Sequence, residues 1–344
     1  MTQSVTRATK TAKAHGDVVL DVSHLSIRFE GDNGPALAVS DLSFQVRAGE
    51  RLGIAGESGS GKSVTAQALL GLLNGATVEG EVKFQGEDVL TMAPEKLRSL
   101  RGWEMSYIFQ DPLSAMDPVR TVGDQVSQVL RLRGINRKEA KERTIDMLDQ
   151  VGIRNPEARF GDFPHQFSGG MRQRAMIAMA LIGDPVLVIA DEPTTALDVR
   201  VQAQVIDLLH RLTEERGVAV VFITHDLAIM AGFAQRMMVM YGGRIVESGM
   251  TDDVYYGSTH PYTLGLLNSL PRVMGKIAKE LLTIGGQPPA PTNLPSGCAF
   301  NPRCKYVLDQ CRVDVPELAI PAGGNHLSRC HRSEWLADNR GELT

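Results

Sequence analysis

A glycine-rich loop between an apolar strand and a helix constrains the fold of this chain most strongly. Arg51 to Ala55 is a short apolar run, and Val64 to Leu73 has a helical pattern. The loop between them has the form Gly-x4-Gly-Lys-Ser and consists of Gly56, Glu57, Ser58, Gly59, Ser60, Gly61, Lys62 and Ser63. Strand, glycine turn and helix in this order predict a cradle of backbone N–H groups around phosphate oxygens. The Rossmann pattern Gly-x-Gly-x-x-Gly is absent from the sequence, which disfavours a dinucleotide-binding domain.

The remaining patterns predict alternating strands and helices. Residues 18–30 and 37–48 alternate apolar and polar side chains, as half-buried strands do. Two continuous apolar runs, Val186 to Ala190 and Val218 to Ile223, are typical of parallel strands buried on both faces. Helical patterns cover Ala140 to Val151, Met171 to Ile182 and Val201 to Glu215. The sequence therefore predicts an α/β fold with a largely parallel core sheet.

Polar residues follow several of these apolar runs and become candidates for chemistry on a bound phosphate. Asp191 and Glu192 end one strand, His225 ends the next, and Gln110 follows a third. Asp191, Gln110 and the Ser63 hydroxyl are predicted to hold Mg²⁺, while Lys62 contacts the β- and γ-phosphates. We interpret Glu192 as the general base for an attacking water and His225 as a contact to the γ-phosphate. Phe29 is a candidate for stacking on adenine, and an ordinary core aromatic is the competing interpretation.

Composition excludes several classes of protein. The formal net charge of −4 disfavours a dedicated nucleic-acid binder, which would usually be basic. No run of eighteen or more apolar residues exists, so the sequence predicts no membrane span. Residues 1–16 lack an apolar signal region and are predicted to be a disordered tail, so a cytoplasmic location is expected.

The composition of the chain changes after about residue 250. Residues 256–335 are rich in proline, show little periodicity and contain every cysteine of the chain: Cys298, Cys304, Cys311 and Cys330. We expect a separate extension held together by something other than a large core. Four thiolates suit Zn²⁺ or an iron–sulfur cluster, although the spacing is unlike the Cys-x2-Cys pairs of common zinc sites. Unligated thiols are a third possibility. Residues 336–344 are predicted to be a tail.

The segment Ser168-Gly169-Gly170-Met171-Arg172-Gln173 makes the family recognisable. With the phosphate loop, Gln110, Val186 to Glu192, Ala196-Leu197-Asp198 and His225, it resembles the ATP-binding cassette (ABC) ATPases in the family's own order. The strings Phe109-Gln110-Asp111-Pro112 and His260-Pro261-Tyr262-Thr263 resemble the oligopeptide/dipeptide permease branch. The resemblance covers roughly residues 17 to 335.

The resemblance implies a P-loop NTPase fold over residues 17–255. It implies a RecA-like core, an antiparallel β subdomain, a helical subdomain at about residues 111–170 and a small Pro/Cys-rich C-terminal extension. Ser168, Gly169, Gly170 and Gln173 would form the signature that acts on the ATP of a partner cassette, with Asp198 in the adjoining D-loop. Residues 110–120 would form the groove for a permease helix. The family's extension favours a [4Fe–4S] cluster on the four cysteines, with Zn²⁺ as the alternative.

The function implied is ATP hydrolysis that energises peptide import at the cytoplasmic face of the inner membrane. The implied partners are a second ATPase subunit of different sequence, two transmembrane permease subunits and an extracytoplasmic substrate-binding protein, with no nucleic acid. Nickel, glutathione or another solute are alternative cargoes. A soluble cassette in DNA repair or translation is the alternative from another class, but neither a coiled-coil insertion nor a second cassette is seen. Intact Glu192 and His225 weigh against a cassette that only binds ATP.

Overall fold

The computed structural model describes residues 16–31, 34–195, 197–270 and 284–339. Residues 1–15 and 340–344, which belong to the predicted tails 1–16 and 336–344, and Ala196 of the predicted D-loop lie outside these ranges. The strands are β1 (Val18–Phe29), β2 (Ala36–Arg47), β3 (Arg51–Ala55), β4 (Ala76–Phe84), β5 (Glu87–Asp88), β6 (Met105–Ile108), β7 (Leu187–Asp191), β8 (Ala219–Thr224), β9 (Arg236–Tyr241), β10 (Arg244–Met250) and β11 (Leu327–Ser328). The helices are α1 (Lys62–Leu69), α2 (Pro94–Leu100), α3 (Pro112–Ala115), α4 (Val122–Arg131), α5 (Arg137–Gln150), α6 (Pro156–Arg159), α7 (Gly169–Leu181), α8 (Val199–Arg216), α9 (Leu227–Phe233), α10 (Thr251–Gly257), α11 (Pro261–Asn268) and α12 (Ser333–Asp338).

A parallel sheet forms the centre of the fold. Within the described residues its strand order is β11-β10-β9-β3-β8-β7-β6, and β9, β3, β8, β7 and β6 pair in parallel. All five residues of β7 and all six of β8 are buried, which explains their continuous apolar sequence. Because parallel strands end at one edge of the sheet, the loops after β3, β6, β7 and β8 converge there.

An antiparallel sheet packs beside this core, in the order β2-β1-β4-β5. Phe44, Leu42 and Val46 of β2 point into the main hydrophobic cluster, as their alternation predicts. Residues 112–181 form α3 to α7, which pack around a second apolar cluster that includes Val126, Leu148 and Phe167. Among the described residues, none of the helices combines the length and apolarity needed to cross a membrane.

The C-terminal extension is not separate from the core, contrary to the prediction. β11 pairs antiparallel with β10 and extends the central sheet. Tyr262 and Phe300 are buried in one apolar cluster with Ala55 and Tyr241 of the core. The sequence gives little sign of this packing because the apolar side chains come from turns without regular periodicity. The predicted tail from residue 336 also starts too early, since α12 continues to Asp338.

A buried contact between Glu247 and His326 fastens the extension to the sheet. Glu247 of β10 is 0% exposed and lies 2.8 Å from the Nε2 atom of His326, whose side chain is 1% exposed. The Ser258 hydroxyl donates to Glu247 at 2.8 Å, and the Thr259 hydroxyl donates at 3.2 Å. A buried carboxylate is tolerated when its oxygens are paired and hydrogen-bonded in this way.

His260 begins α11 and is 1% exposed. Its Nδ1 atom accepts the N–H of Tyr262 at 3.1 Å, and Pro261 occupies the first helical position. Burial lowers the pKa of His260 to about 4, although Glu247 opposes the shift. The imidazole is therefore neutral in the folded protein at physiological pH.

We expect His260 to make the protein sensitive to mild acid. Below its unfolded pKa of 6.5, the unfolded chain takes up a proton here that the folded chain does not. Stability is therefore lost as the pH falls from that value towards the folded pKa, by about 2 kcal/mol at about pH 5. Urea unfolding of wild type and His260→Asn across this range should show a weaker pH dependence in the variant. The control His24→Asn, on the exposed surface, should follow wild type; equal slopes for all three proteins would contradict the prediction.

Candidate active site

The phosphate loop joins β3 to α1 and depends on two glycines. Gly56 has φ 151°, and a Cβ there would lie 2.3 Å from the Met240 carbonyl oxygen. Gly61 caps α1 with φ 101°, and its Cβ would lie 2.5 Å from the Ala38 carbonyl oxygen. Both positions exclude any side chain because a backbone carbonyl blocks the space. The loop is therefore seated against β9 and β2, with the N-terminus of α1 facing outward.

The ammonium group of Lys62 is held inside this loop. Its Nζ atom donates to the carbonyl oxygens of Gly56 at 2.7 Å and Glu57 at 2.9 Å. The residue is 4% exposed. Burial lowers the pKa of Lys62, and the carboxylates of Glu192 and Asp191 oppose that shift. The Lys62 ammonium group, fixed beside the N-terminus of α1, favours the binding of a phosphate to the loop.

Asp191 ends β7 at the edge where the loop lies. The Ser63 hydroxyl donates to its Oδ1 at 3.2 Å, and the Tyr107 hydroxyl donates to its Oδ2 at 2.8 Å. Burial raises the pKa of Asp191, and these two hydrogen bonds oppose the rise. The structure thus brings Ser63 and Asp191 together as predicted. Tyr107 was missed because a tyrosine within an apolar strand gives no sequence signal of its hydroxyl contact.

Glu192 is the centre of a second group of contacts. Its backbone has φ 46°, and its N–H donates to the Ile223 carbonyl at 2.9 Å. The carboxylate Oε2 accepts from Gln110 Nε2 at 3.1 Å and from the Thr195 hydroxyl at 2.9 Å. The Nδ1 atom of His225 lies 3.4 Å from the same oxygen. The structure therefore gathers the predicted residues Gln110, Glu192 and His225, and adds Thr195, which the sequence pattern did not single out.

The signature segment is placed at a helix start, with its small residues outward. Ser168 is the N-cap of α7, and its hydroxyl accepts the Met171 N–H at 3.3 Å. Ser168 and Gly169 are exposed. Asp198 similarly caps α8 by accepting the Val201 N–H at 3.0 Å. Both side chains thus stabilise the start of their own helix, and the exposed N-terminus of α7 offers a second anion-binding surface.

Two of the predicted site residues, Gln173 and Phe29, do not have the surroundings predicted for them. Gln173 is 1% exposed, so its side chain lies inside the helical subdomain and not on the outward signature surface. This corrects its assignment to contact with a partner's ATP, since position 173 falls on the inner face of α7. Phe29 is half-buried at the end of β1 and packs against the main apolar cluster, which agrees with the competing interpretation of a core aromatic.

The four cysteines of the extension lie close enough for Cys330 to interact electrostatically with the other three, and they form no disulfide. Three sulfurs accept backbone N–H groups: Cys304 from Tyr306 at 3.4 Å, Cys311 from Leu308 at 3.5 Å and Cys330 from Arg332 at 3.4 Å. Burial raises the pKa of Cys304 to about 11 and that of Cys330 to about 12. Among the described residues, no three His, Cys, Asp or Glu side chains are arranged to hold a single metal ion.

Comparison with known proteins decides the family. Residues 39–195 match the ABC transporter family, and residues 246–311 match the C-terminal region of oligopeptide/dipeptide transporters. The oligopeptide transport ATP-binding protein OppD of Haemophilus influenzae is 47% identical, over 94% of this chain and 99% of its own length. OppD of Salmonella typhimurium is 46% identical, over 93% and 96%. The chain belongs to the oligopeptide transport ATP-binding proteins of the ABC family.

A solved structure extends the likeness to the fold. A dimeric ATP-binding cassette in a post-hydrolysis state, bound to ADP and Pi, matches with a TM-score of 0.62 and 26% identity. The match covers 67% of this chain and 98% of that one. The chain is therefore an ABC ATPase with the cassette fold, and the predicted fold class and enzyme class are confirmed.

The two signature glycines provide a matched pair for a stability test. A Cβ at Gly170 would lie 2.7 Å from Cγ1 of Val201, whereas the nearest atom to a Cβ at Gly169 is 3.7 Å away. We expect Gly170→Ala to lower the free energy of unfolding by about 1–3 kcal/mol through overpacking. Gly169→Ala should be neutral or slightly stabilising, because alanine favours a helix. Thermal unfolding of both variants tests this; an equal effect of the two substitutions would contradict it.

Proposed function

We propose that this chain binds Mg·ATP and hydrolyses it to ADP and phosphate to energise the import of peptides. The observation that carries the proposal is the joining of two features in one chain. The Lys62, Asp191 and Glu192 constellation supplies the ATPase site, and residues 246–311 match the oligopeptide/dipeptide transporter C-terminal region. Both OppD relatives bear the name of oligopeptide transport proteins. Nickel, glutathione or another solute is the alternative cargo.

Each residue of the site has a role that its contacts support. Lys62 and the loop N–H groups bind the phosphates, while Ser63, Gln110 and Asp191 supply the oxygen ligands that suit Mg²⁺. A bound Mg²⁺ would neutralise charge on the phosphate oxygens. Glu192 accepts a proton from water, and His225, 3.4 Å away, orients that carboxylate and the γ-phosphate. Gln110 and Thr195 hold the Glu192 side chain towards the same place.

A complete site needs a second chain. Ser168 and Gly169 face outward at the start of α7, where they offer N–H groups and a positive helix end to an anion. We assign them to the ATP held by a partner ATPase, with Asp198 beside them at the interface. The solved relative is a dimer, which supports this assignment. We expect a partner of different sequence, as the family resemblance implies. ATP then favours the closed pair, because it contacts both chains only in that state.

The coupling surface lies where the helical subdomain meets the core. An apolar groove there is lined by Leu72, Phe109, Met116, Val129, Met176 and Met179, among others. Leu113 and Val119 are 51% and 79% exposed beside Gln110. We assign this surface to a cytoplasmic helix of a transmembrane permease subunit, since exposed apolar patches mark protein contacts. We propose that two such subunits and an extracytoplasmic substrate-binding protein complete the importer, with this chain peripheral at the cytoplasmic face of the inner membrane.

Because each ATP site is proposed to use residues of both chains, substitutions in this chain should impair either its own site or that of its partner. In the complex with its partner ATPase, Glu192→Gln should bind ATP but lower turnover at this chain's own site by about 10²-fold or more, because the base is lost. Ser168→Arg should lower turnover at the partner's site. Vanadate trapping of a photoreactive ATP reports which chain has hydrolysed it.

Glu95→Gln, an exposed acid in α2, is the matched control and should leave both sites active. Damage by Ser168→Arg confined to this chain's own nucleotide would contradict the shared site. Normal turnover in Glu192→Gln would contradict the role of the base.

We further propose a [4Fe–4S] cluster on Cys298, Cys304, Cys311 and Cys330. The donor set fits: four thiols lie in one neighbourhood, and backbone N–H groups point at their sulfurs, as they do around metal-bound thiolates. Zn²⁺ is the alternative group for the same four thiols. The cluster would crosslink turns that a small apolar core stabilises only weakly.

Anaerobically purified wild type should contain about four irons per chain with matching sulfide. Cys311→Ser should lose this iron and unfold at lower temperature, whereas Ser296→Ala in the same segment should retain it. Stoichiometric zinc, or no metal in the anaerobic protein, would overturn the cluster.

A further inference from the structure

The second residue of the phosphate loop, Glu57, carries a negative charge that does not favour phosphate binding. In Gly-x4-Gly-Lys-Ser this position is unconstrained, and the backbone supplies the phosphate contacts. Glu57 nevertheless carries a carboxylate to the rim of a site for a multiply charged anion. An uncompensated carboxylate so placed would repel the nucleotide.

Arg303 of the C-terminal extension supplies the opposite charge. Its guanidinium holds Glu57 through two hydrogen bonds, from Nη1 to Oε2 at 2.7 Å and from Nη2 to Oε1 at 3.1 Å. The side chain of Arg303 is 6% exposed and that of Glu57 is 25% exposed. This two-pronged pair joins residues 246 positions apart in the sequence. Bidentate geometry and burial distinguish it from an exposed ion pair of little consequence.

The remaining polar groups of Glu57 are also fixed. Its backbone N–H donates to the hydroxyl of Tyr262 at 2.7 Å, and its carbonyl accepts from Lys62 Nζ at 2.9 Å. Tyr262 is 0% exposed. One residue of the loop is thus held by the extension on two sides and holds the Lys62 ammonium on the third.

Other groups of the extension, together with Tyr241 of β9, hold the Arg303 side chain in place. Its Nε atom donates to the Gly285 carbonyl at 2.9 Å, and the guanidinium lies 5.7 Å from the ring centre of Tyr241. Arg303 ends the short 3₁₀ turn Asn301–Arg303, and the Asn301 side chain donates to the Cys298 carbonyl at 2.9 Å. The arginine is therefore placed by the fold of the cysteine-bearing segment.

We infer that Arg303 and Tyr262 are positioning residues of the ATPase site: they neutralise and hold Glu57, so that ATP binding depends on the docked C-terminal extension. The inference rests on the proposed function, since it assigns regulation of the same nucleotide site. Arg303 acts on the nucleotide site through Glu57, and it also donates to the Tyr241 hydroxyl at 3.2 Å.

Because Arg303 neutralises Glu57, a double substitution is more informative than a single one. Arg303→Ala leaves Glu57 unpaired beside the phosphates, and we expect Mg·ATP affinity to fall about tenfold or more. Glu57→Gln in the same chain removes the repulsive charge, so the double variant should recover to within about threefold of wild type. Arg303→Lys should be intermediate, because it keeps the charge without the two-pronged geometry. The defect of Arg303→Ala should shrink in high salt.

Affinity is measured on the full-length chain with a non-hydrolysable fluorescent ATP analogue, and thermal unfolding without nucleotide is recorded in parallel. Arg329→Ala is the matched control: this arginine of the extension donates to the Ile245 and Pro316 carbonyls, away from the loop. It should lower stability while leaving affinity within about twofold of wild type. A double variant no better than Arg303→Ala, or unchanged affinity in Arg303→Ala, would overturn the inference alone. Absence of ATP binding in wild type would overturn the proposed function as well.

Discussion

The shared edge of five parallel strands is the constraint on which the rest of the structure depends. β3, β7 and β8 are buried and end together, so the phosphate loop, Asp191 and the loop carrying His225 meet there without any of them being close in sequence. Lys62 is then near enough to Asp191 and Glu192 for their charges to oppose the lowering of its pKa by burial. The site is thus a consequence of sheet topology, and the loops add only the chemistry at each strand end.

Most of this edge could be predicted from the sequence because its signals are local. A buried parallel strand is a continuous apolar run, and the polar residue that ends it faces the ligand edge. Asp191, Gln110 and Glu192 were predicted in this way, and Ser63 was predicted from the phosphate-loop motif. Tyr107 and Thr195 were missed, since a hydroxyl that bonds to a distant carboxylate leaves no periodic pattern. Gln173 was misplaced for the opposite reason: a motif fixes the order of residues, whereas the helical period decides which of them face inward.

The C-terminal extension shows where local reasoning fails. Its apolar residues come from turns and short helices, so their joint burial with Tyr241 cannot be detected as periodicity. Its fastening also depends on long-range polar pairs, chiefly Glu247 with His326, which are 79 residues apart. Because both groups are buried, the pair is stable only while the hydrogen bonds from Ser258 and Thr259 persist. Three parts therefore stabilise one another: the central sheet, strand β11, and the turn that precedes α11.

The same turn connects stability to function. His260 caps the helix that carries Tyr262, and Tyr262 accepts the N–H of Glu57. Arg303 reaches the Glu57 carboxylate from between Cys298 and Cys304, so the cysteine-bearing turns and the phosphate loop share one residue as their junction. A buried network transmits displacement because its members have few alternative partners. Loosening of the extension would consequently release Glu57, whose carbonyl helps to place the Lys62 ammonium. In this fold an acidic residue in the phosphate loop is compatible with ATP only because a distant part of the chain supplies its counter-charge.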